Sequence, residues 1–179
     1  MTAAARTAVL RHFRWEGAHA DVWRIFADAE GLQAVVDGLA DPWRGSGVTH
    51  VIGIESRGFL LGGACAVALG VGFVAIRKEH GLLPGSNKVT ARSDADYRGN
   101  RPVLRMQRVV GATDRVLLVD DWAERGSQAR AAAQLVGACG AVFLGMSIIV
   151  DQLEAGVRAG LGRVTSIVTA DELGDSAFA

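Results

Sequence analysis

The stretch VLLVDDWAERGSQ, Val116 to Gln128, runs four apolar residues into two adjacent carboxylates and then into a short polar loop carrying one glycine. Four large aliphatic residues in a row indicate a strand covered on both faces, as in a parallel sheet. Charge is costly to hold unpaired in such surroundings. The strand is therefore expected to run from Arg115 to Asp120, with Asp120 and Asp121 at its end, where a turn lets them meet solvent or a ligand. In open α/β sheets ligands bind beyond the carboxyl ends of the strands, so the loop after this strand is a candidate site.

On either side of it, three more apolar runs have strand character: VTHVIGI (Val48 to Ile54), GFVAI (Gly72 to Ile76) and AVFLGMSIIV (Ala141 to Val150). GRVTSIVT supplies a last strand. Between the first two lies GFLLGGACAVALG, and between the Asp-Asp strand and the next lies SQARAAAQLVGACG, both rich in Ala and Leu and long enough for a helix. The alternation predicts an α/β fold: a doubly wound, mainly parallel sheet flanked by helices. Upstream, Val22, Ile25, Phe26, Leu32, Val35, Val36 and Leu39 recur at helical spacing and read as the core face of one or two helices. The segment from Glu79 to Gln107 breaks the apolar pattern, and a polar insertion of that length inside a compact domain is more often a working loop or hairpin than a plain connector.

The chain of 179 residues is 50% hydrophobic, which fits one domain with a substantial core. The expected organisation is a single domain over 1–179, with 1–45 as an N-terminal helical or hood segment and 86–108 as a mobile loop or hairpin. Lys+Arg 19 balance Asp+Glu 19, so the chain as a whole offers no general attraction for nucleic acid or anionic membrane. Locally, Arg77 to Arg108 holds eight basic residues against three acids, which suits a solvated face, or else a site for a compact phosphate compound or for nucleic acid. Cys65 and Cys139 sit in apolar stretches with no zinc-like spacing and read as core packing. The N-terminus lacks an apolar signal core and no run is long enough to span a bilayer, so a cytoplasmic location is expected.

Three strand ends carry chemistry. After the first comes ESRGF (Glu55 to Phe59), after the second RKEHGLLPG (Arg77 to Gly85), and after the third DDWAERGSQ (Asp120 to Gln128). Two carboxylates accept hydrogen bonds from vicinal hydroxyls or from the waters of magnesium. Gly126 and Ser127 lead into a helix start whose N–H groups suit a phosphate monoester. Arg57, Arg77 and Lys78 add fixed cations near the same sheet edge. Together they describe a site for a phosphorylated ribose bearing a second phosphate group.

This pattern resembles the type I phosphoribosyltransferases, and GIESRGFLLGGACAVALGVGFVAIRKEHGLLPG is most similar to the adenine phosphoribosyltransferases, over about Val51 to Val150. The resemblance implies transfer of 5-phosphoribosyl from phosphoribosyl pyrophosphate (PRPP) to a nitrogen of an aromatic base, adenine or another heterocycle, with Mg²⁺ as cofactor. It implies that PRPP is held by Ser56, Arg57, Arg77, Lys78, Asp120, Asp121, Glu124, Arg125, Gly126, Ser127 and Gln128. Asp120 and Asp121 would meet the metal through water and ribose hydroxyls. Asp96 and Tyr97 match the family's acid–tyrosine pair of the mobile loop and, with Arg57, are the expected catalytic residues. A homodimer is implied too, because in relatives residues near Arg77 reach a neighbour's pyrophosphate site.

The family's phosphate loop reads Ala-Thr-Gly-Gly-Thr where this chain has Glu124 to Gln128, and Ala20 stands where the hood's base-facing Arg is expected. Trp15, Trp23 and Trp122 offer another stacking surface. A PRPP-sensing regulator or binding module on the same fold is the alternative these departures keep open.

Overall fold

The computed structural model describes residues 3–17, 19–79, 81–94 and 101–174. The chain begins with α1 (Ala3–His12), a small antiparallel hairpin β1 (Arg14–Glu16) and β2 (His19–Asp21), then α2 (Trp23–Ala27) and α3 (Ala29–Ala40). Asp28 starts α3, its carboxylate accepting the Gly31 N–H at 2.7 Å. Next come β3 (His50–Ile54), α4 (Arg57–Leu69), β4 (Gly72–Lys78), β5 (Lys88–Arg92), β6 (Val103–Gln107), β7 (Arg115–Ala123), α5 (Ser127–Ala138), β8 (Val142–Asp151), α6 (Ala155–Ala159) and β9 (Arg163–Thr169).

Seven strands form one sheet in the order β5-β6-β4-β3-β7-β8-β9. The five from β4 to β9 in that order run parallel, while β6 pairs antiparallel with both β4 and β5. The doubly wound, mainly parallel sheet read from the sequence is what the chain forms. Side-chain alternation divides the core in two. Leu117 and Val119 face Val9, Val35, Leu39, Leu61 and Cys65 of α1, α3 and α4; Val116 and Leu118 face Ala132, Leu135 and Val136 of α5. Cys65 is fully buried and burial pushes its thiol up to about 12, which fits a packing role.

The polar insertion is a hairpin that extends the sheet edge, β5 and β6 registering Lys88 with Gln107 and Arg92 with Val103. Its basic residues partly hold that edge in place. Arg105 donates to the carbonyls of Glu79 and Gly81, and Arg108 Nη1 donates to Ala138 O at 2.7 Å. Among the described residues no helix is long and apolar enough to cross a membrane.

The position of the Asp pair differs from the sequence expectation. It lies inside β7 and not at its end, because β8 runs on to Asp151 and pairs Asp120 with Ile148, Trp122 with Val150 and Ala123 with Asp151. The strand's hydrogen bonding thus outlasts its apolar run by four residues.

Candidate active site

The chain leaves β3 through α4 to reach β4 on one side, and later places β7 on the other side of β3. Strand order reverses between β3 and β7, which opens a crevice at their carboxyl ends. A cavity of about 640 Å³ occupies it.

Two glycines let the β3–α4 turn fold tightly against the sheet. A Cβ on Gly53 would collide with the Gly58 carbonyl, and one on Gly58 would come within 3.2 Å of Asp120 Oδ1. The turn itself, Glu55-Ser56, is a cis peptide. It sets Ser56 and Arg57 on the cavity wall, facing the acids of β7.

Arg57 Nε lies 2.9 Å from Asp121 Oδ2, and the Asp121 side chain is buried. That oxygen has a charge partner but receives no directed hydrogen bond. Asp120 Oδ1 accepts the Asp121 N–H at 3.0 Å. Burial, and after it the neighbouring Asp121 charge, raises the Asp120 carboxyl well above the ordinary aspartate range; the Asp121 N–H and Arg57 oppose this. One guanidinium therefore serves two carboxylates, and the pair retains unused acceptor capacity facing the cavity.

Beyond β7 the chain turns at Gly126, whose φ of +64° puts it in the left-handed region. A Cβ there would meet Val157 Cγ1 at 2.6 Å. The turn starts α5 at Ser127, with no side chain capping the helix. Its first N–H groups lack intrahelical partners and carry the positive end of the helix dipole. Glu124, Arg125, Gly126, Ser127 and Gln128 all line the cavity.

Lys78 lines it as well, but Arg77 does not. The Arg77 guanidinium is held by Glu55, Nε to Oε2 at 2.9 Å, and the other Glu55 oxygen accepts the Lys78 N–H at 2.7 Å. Asp96 and Tyr97 fall outside the described residues.

One wall of the cavity is aromatic. Trp15 and Ala20 of the β1–β2 hairpin, Trp23 and Trp122 form it. The Trp15 and Trp122 rings stand 5.8 Å apart, edge to face, with Phe13 packed behind them at 5.2 Å from Trp15. Trp122 Nε1 donates to Gln152 Oε1 at 2.9 Å. Gln152 and His19 also line the cavity, and no sequence motif singles them out. Gln152 directly follows β8, so the same strand-end rule that marks the other loops points to it; its company with Trp122 is tertiary.

The arrangement gathers four chemistries in one crevice. A helix N-terminus with Arg125 suits a phosphate, a carboxylate pair suits vicinal hydroxyls, and Ser56, Arg57 and Lys78 suit a second anionic group. The indole walls suit a flat ring. Among the described residues no three His, Cys, Asp or Glu side chains converge into a self-sufficient metal cage.

No family model matches the chain. Adenine phosphoribosyltransferase of Paracoccus denitrificans is 39% identical over 155 residues, covering 85% of this chain and 81% of that one. The crystal structure of adenine phosphoribosyltransferase from Rhodothermus marinus superposes with a TM-score of 0.80 at 27% identity, covering 94% of this chain and 99% of that one. The enzyme from Trypanosoma brucei, solved with AMP, pyrophosphate and ribose-5-phosphate, superposes with a TM-score of 0.80 at 25% identity, covering 96% of this chain and 82% of that one.

Proposed function

The chain belongs to the adenine phosphoribosyltransferase family, and on that basis we propose how its cavity carries out the transfer. It is an enzyme whose reaction moves the 5-phosphoribosyl group of PRPP to a ring nitrogen of adenine, with release of pyrophosphate. The observation that carries the reading is the meeting, at one switch point, of the Asp120–Asp121 pair, the Ser56–Arg57 turn with Lys78, and the Gly126–Ser127 helix start.

In this reading the α5 N-terminus and Arg125 grip the 5′-phosphate, and Asp120 and Asp121 accept hydrogen bonds from the ribose hydroxyls. Ser56, Arg57 and Lys78 hold the pyrophosphate. The bond from the anomeric carbon to pyrophosphate breaks through an oxocarbenium-like transition state, so donors fixed around the departing oxygens supply the stabilisation that matters. The guanidinium of Arg57 sits between the acids and the turn, where it offsets the charge of both ribose-binding carboxylates and leaving group. Gln128 and Glu124 border the phosphate end, and Glu124 disfavours the anion there unless its carboxylate turns outward.

Mg²⁺ fits these residues. Asp120, whose charge is under-compensated, and Asp121 both line the cavity, where their carboxylates would serve as outer-sphere acceptors for the ion's water. When bound, the ion would neutralise charge on the leaving pyrophosphate. Asp96 and Tyr97 enter as catalytic residues through the family resemblance, with Asp96 accepting the base proton. So does the homodimer, with which Arg77 turned toward Glu55 and away from its own cavity is compatible. A cytoplasmic location belongs to the same reading.

The test is pyrophosphate release from PRPP and magnesium with adenine, the product identified by mass spectrometry. The expected outcome is AMP formation that EDTA abolishes and that Asp120→Asn with Asp121→Asn removes without unfolding the protein. PRPP binding without release for any base would replace the transferase by the sensor; unchanged magnesium-dependent PRPP affinity in the double variant would remove the acids from the site.

A further inference from the structure

With phosphate at the α5 end, ribose at the acids and pyrophosphate at the Ser56–Arg57 turn, the space left in the cavity is its tryptophan wall, where Gln152 and His19 bring polar side chains. Indole N–H can only donate. The 2.9 Å bond from Trp122 Nε1 therefore fixes the Gln152 amide with Oε1 toward the indole and Nε2 away from it. The backbone of Gln152 is pinned as well, its N–H donating to Ala123 O at 2.9 Å, so the side chain starts from a rigid strand end. Gln152 is exposed and lines the cavity, and among the described residues its Nε2 has no hydrogen-bond partner from the protein. In the same region the Ala20 side chain offers the base no polar group.

We propose that Gln152 is a specificity residue of the transfer reaction, its indole-oriented amide donating a hydrogen bond to a ring nitrogen on the edge of a purine stacked against the tryptophan wall. The inference deepens the transferase reading and rests on it. Water satisfies Nε2 while the cavity is open. A stacked base displaces water from the side of the amide that faces it, so a base presenting an acceptor there regains a hydrogen bond and a base presenting a donor or a C–H does not. The indole acts through the amide: it holds the orientation that makes Gln152 a donor to the ligand and withholds its oxygen.

The experiment is steady-state kinetics of the full chain and its Gln152→Leu and Gln152→Glu variants, with adenine and with 1-deaza-, 3-deaza- and 7-deazaadenine, measuring KM for base and for PRPP separately. Glutamate keeps the acceptor for the indole N–H but sets an acceptor where the donor stood. The expected result is a base KM raised about tenfold in Gln152→Leu, the size of one neutral hydrogen bond, and further in Gln152→Glu, with PRPP KM within about twofold of wild type. One deaza analogue should show the same loss with the wild-type chain and no further loss in Gln152→Leu, which identifies the nitrogen. Wild-type turnover with base KM unaltered in both variants, or with all three analogues used by the wild-type chain as well as adenine, overturns the inference alone. No turnover by the wild-type chain with any base overturns the transferase reading, and this inference with it.

Discussion

Replacing Gly126 by Ala should damage stability and PRPP binding by separable routes. At φ +64° and ψ 6° a residue with a Cβ is strained by about 1–2 kcal/mol relative to glycine. The added carbon would also sit 2.6 Å from Val157 Cγ1, 3.2 Å from Leu153 Cδ2 and 3.3 Å from Leu161 Cδ1. Crowding of this kind costs about 1–3 kcal/mol. The lower end applies, since the nearest atom belongs to α6, a five-residue helix with no buried residue that can shift. The sum is about 2–3 kcal/mol, a fall of roughly 5–10 °C in Tm for a chain of this size. Combining Gly126→Ala with Val157→Ala should return about 1 kcal/mol, as a coupling energy in a double-mutant cycle, and leave the backbone part. Urea and thermal unfolding measure the stability, and initial rates measure KM for PRPP and for base. Because the same residue aims the α5 N-terminus at the phosphate, PRPP KM should rise more than about tenfold while the base KM moves little. A Gly126→Ala chain with wild-type Tm and wild-type PRPP KM would refute both the strain and the phosphate assignment; lost stability without coupling to Val157 would refute the contact.

The other predictions concern ionisation and access. The Asp120 carboxyl has its folded pKa raised by burial and by Asp121, so the ligand-free fold binds more protons than the unfolded chain and loses stability as pH rises from the ordinary aspartate range through the raised value. Asp120→Asn should flatten that decline in Tm as pH rises above the ordinary aspartate range while abolishing PRPP binding; a decline as steep as wild type would mean another group titrates. Cys65, buried and held up to about 12, should stay silent toward a thiol reagent at pH 8 until the protein unfolds. Rapid labelling of Cys65 in the folded chain would show that α3 and α4 part readily.

Much of the fold and of the site is legible in the residues. Val116 to Val119 announce a strand buried on both faces, and their alternation assigns Leu117 and Val119 to one helical layer and Val116 and Leu118 to the other. The strand-end rule draws attention to Ser56, Arg57 and Asp120 to Gln128, and residue type with the family resemblance marks all of these but Trp122 and Ala123 as PRPP contacts. The end of β7 is not legible in its own residues, because a strand stops where its partner stops, and β8 carries pairing on to Asp151. Arg77 reads with Lys78 as a cavity cation, yet adjacent strand residues point to opposite faces, and Glu55 takes the guanidinium.

Local properties are written directly in the chain: which segments are apolar enough to be strands, where two carboxylates and a glycine turn come after one of them, and which side chains can hold phosphate or hydroxyl. Residue chemistry and short-range periodicity are enough to tell them. It takes the assembled sheet to set β3 between β4 and β7, so that the crevice opens there, to bring Arg57 onto an acid 64 positions away, and to seat Gln152 beside Trp122. Such pairings are fixed by strand order and register, which are settled by burial summed over the whole sheet and leave no mark on any single stretch of chain.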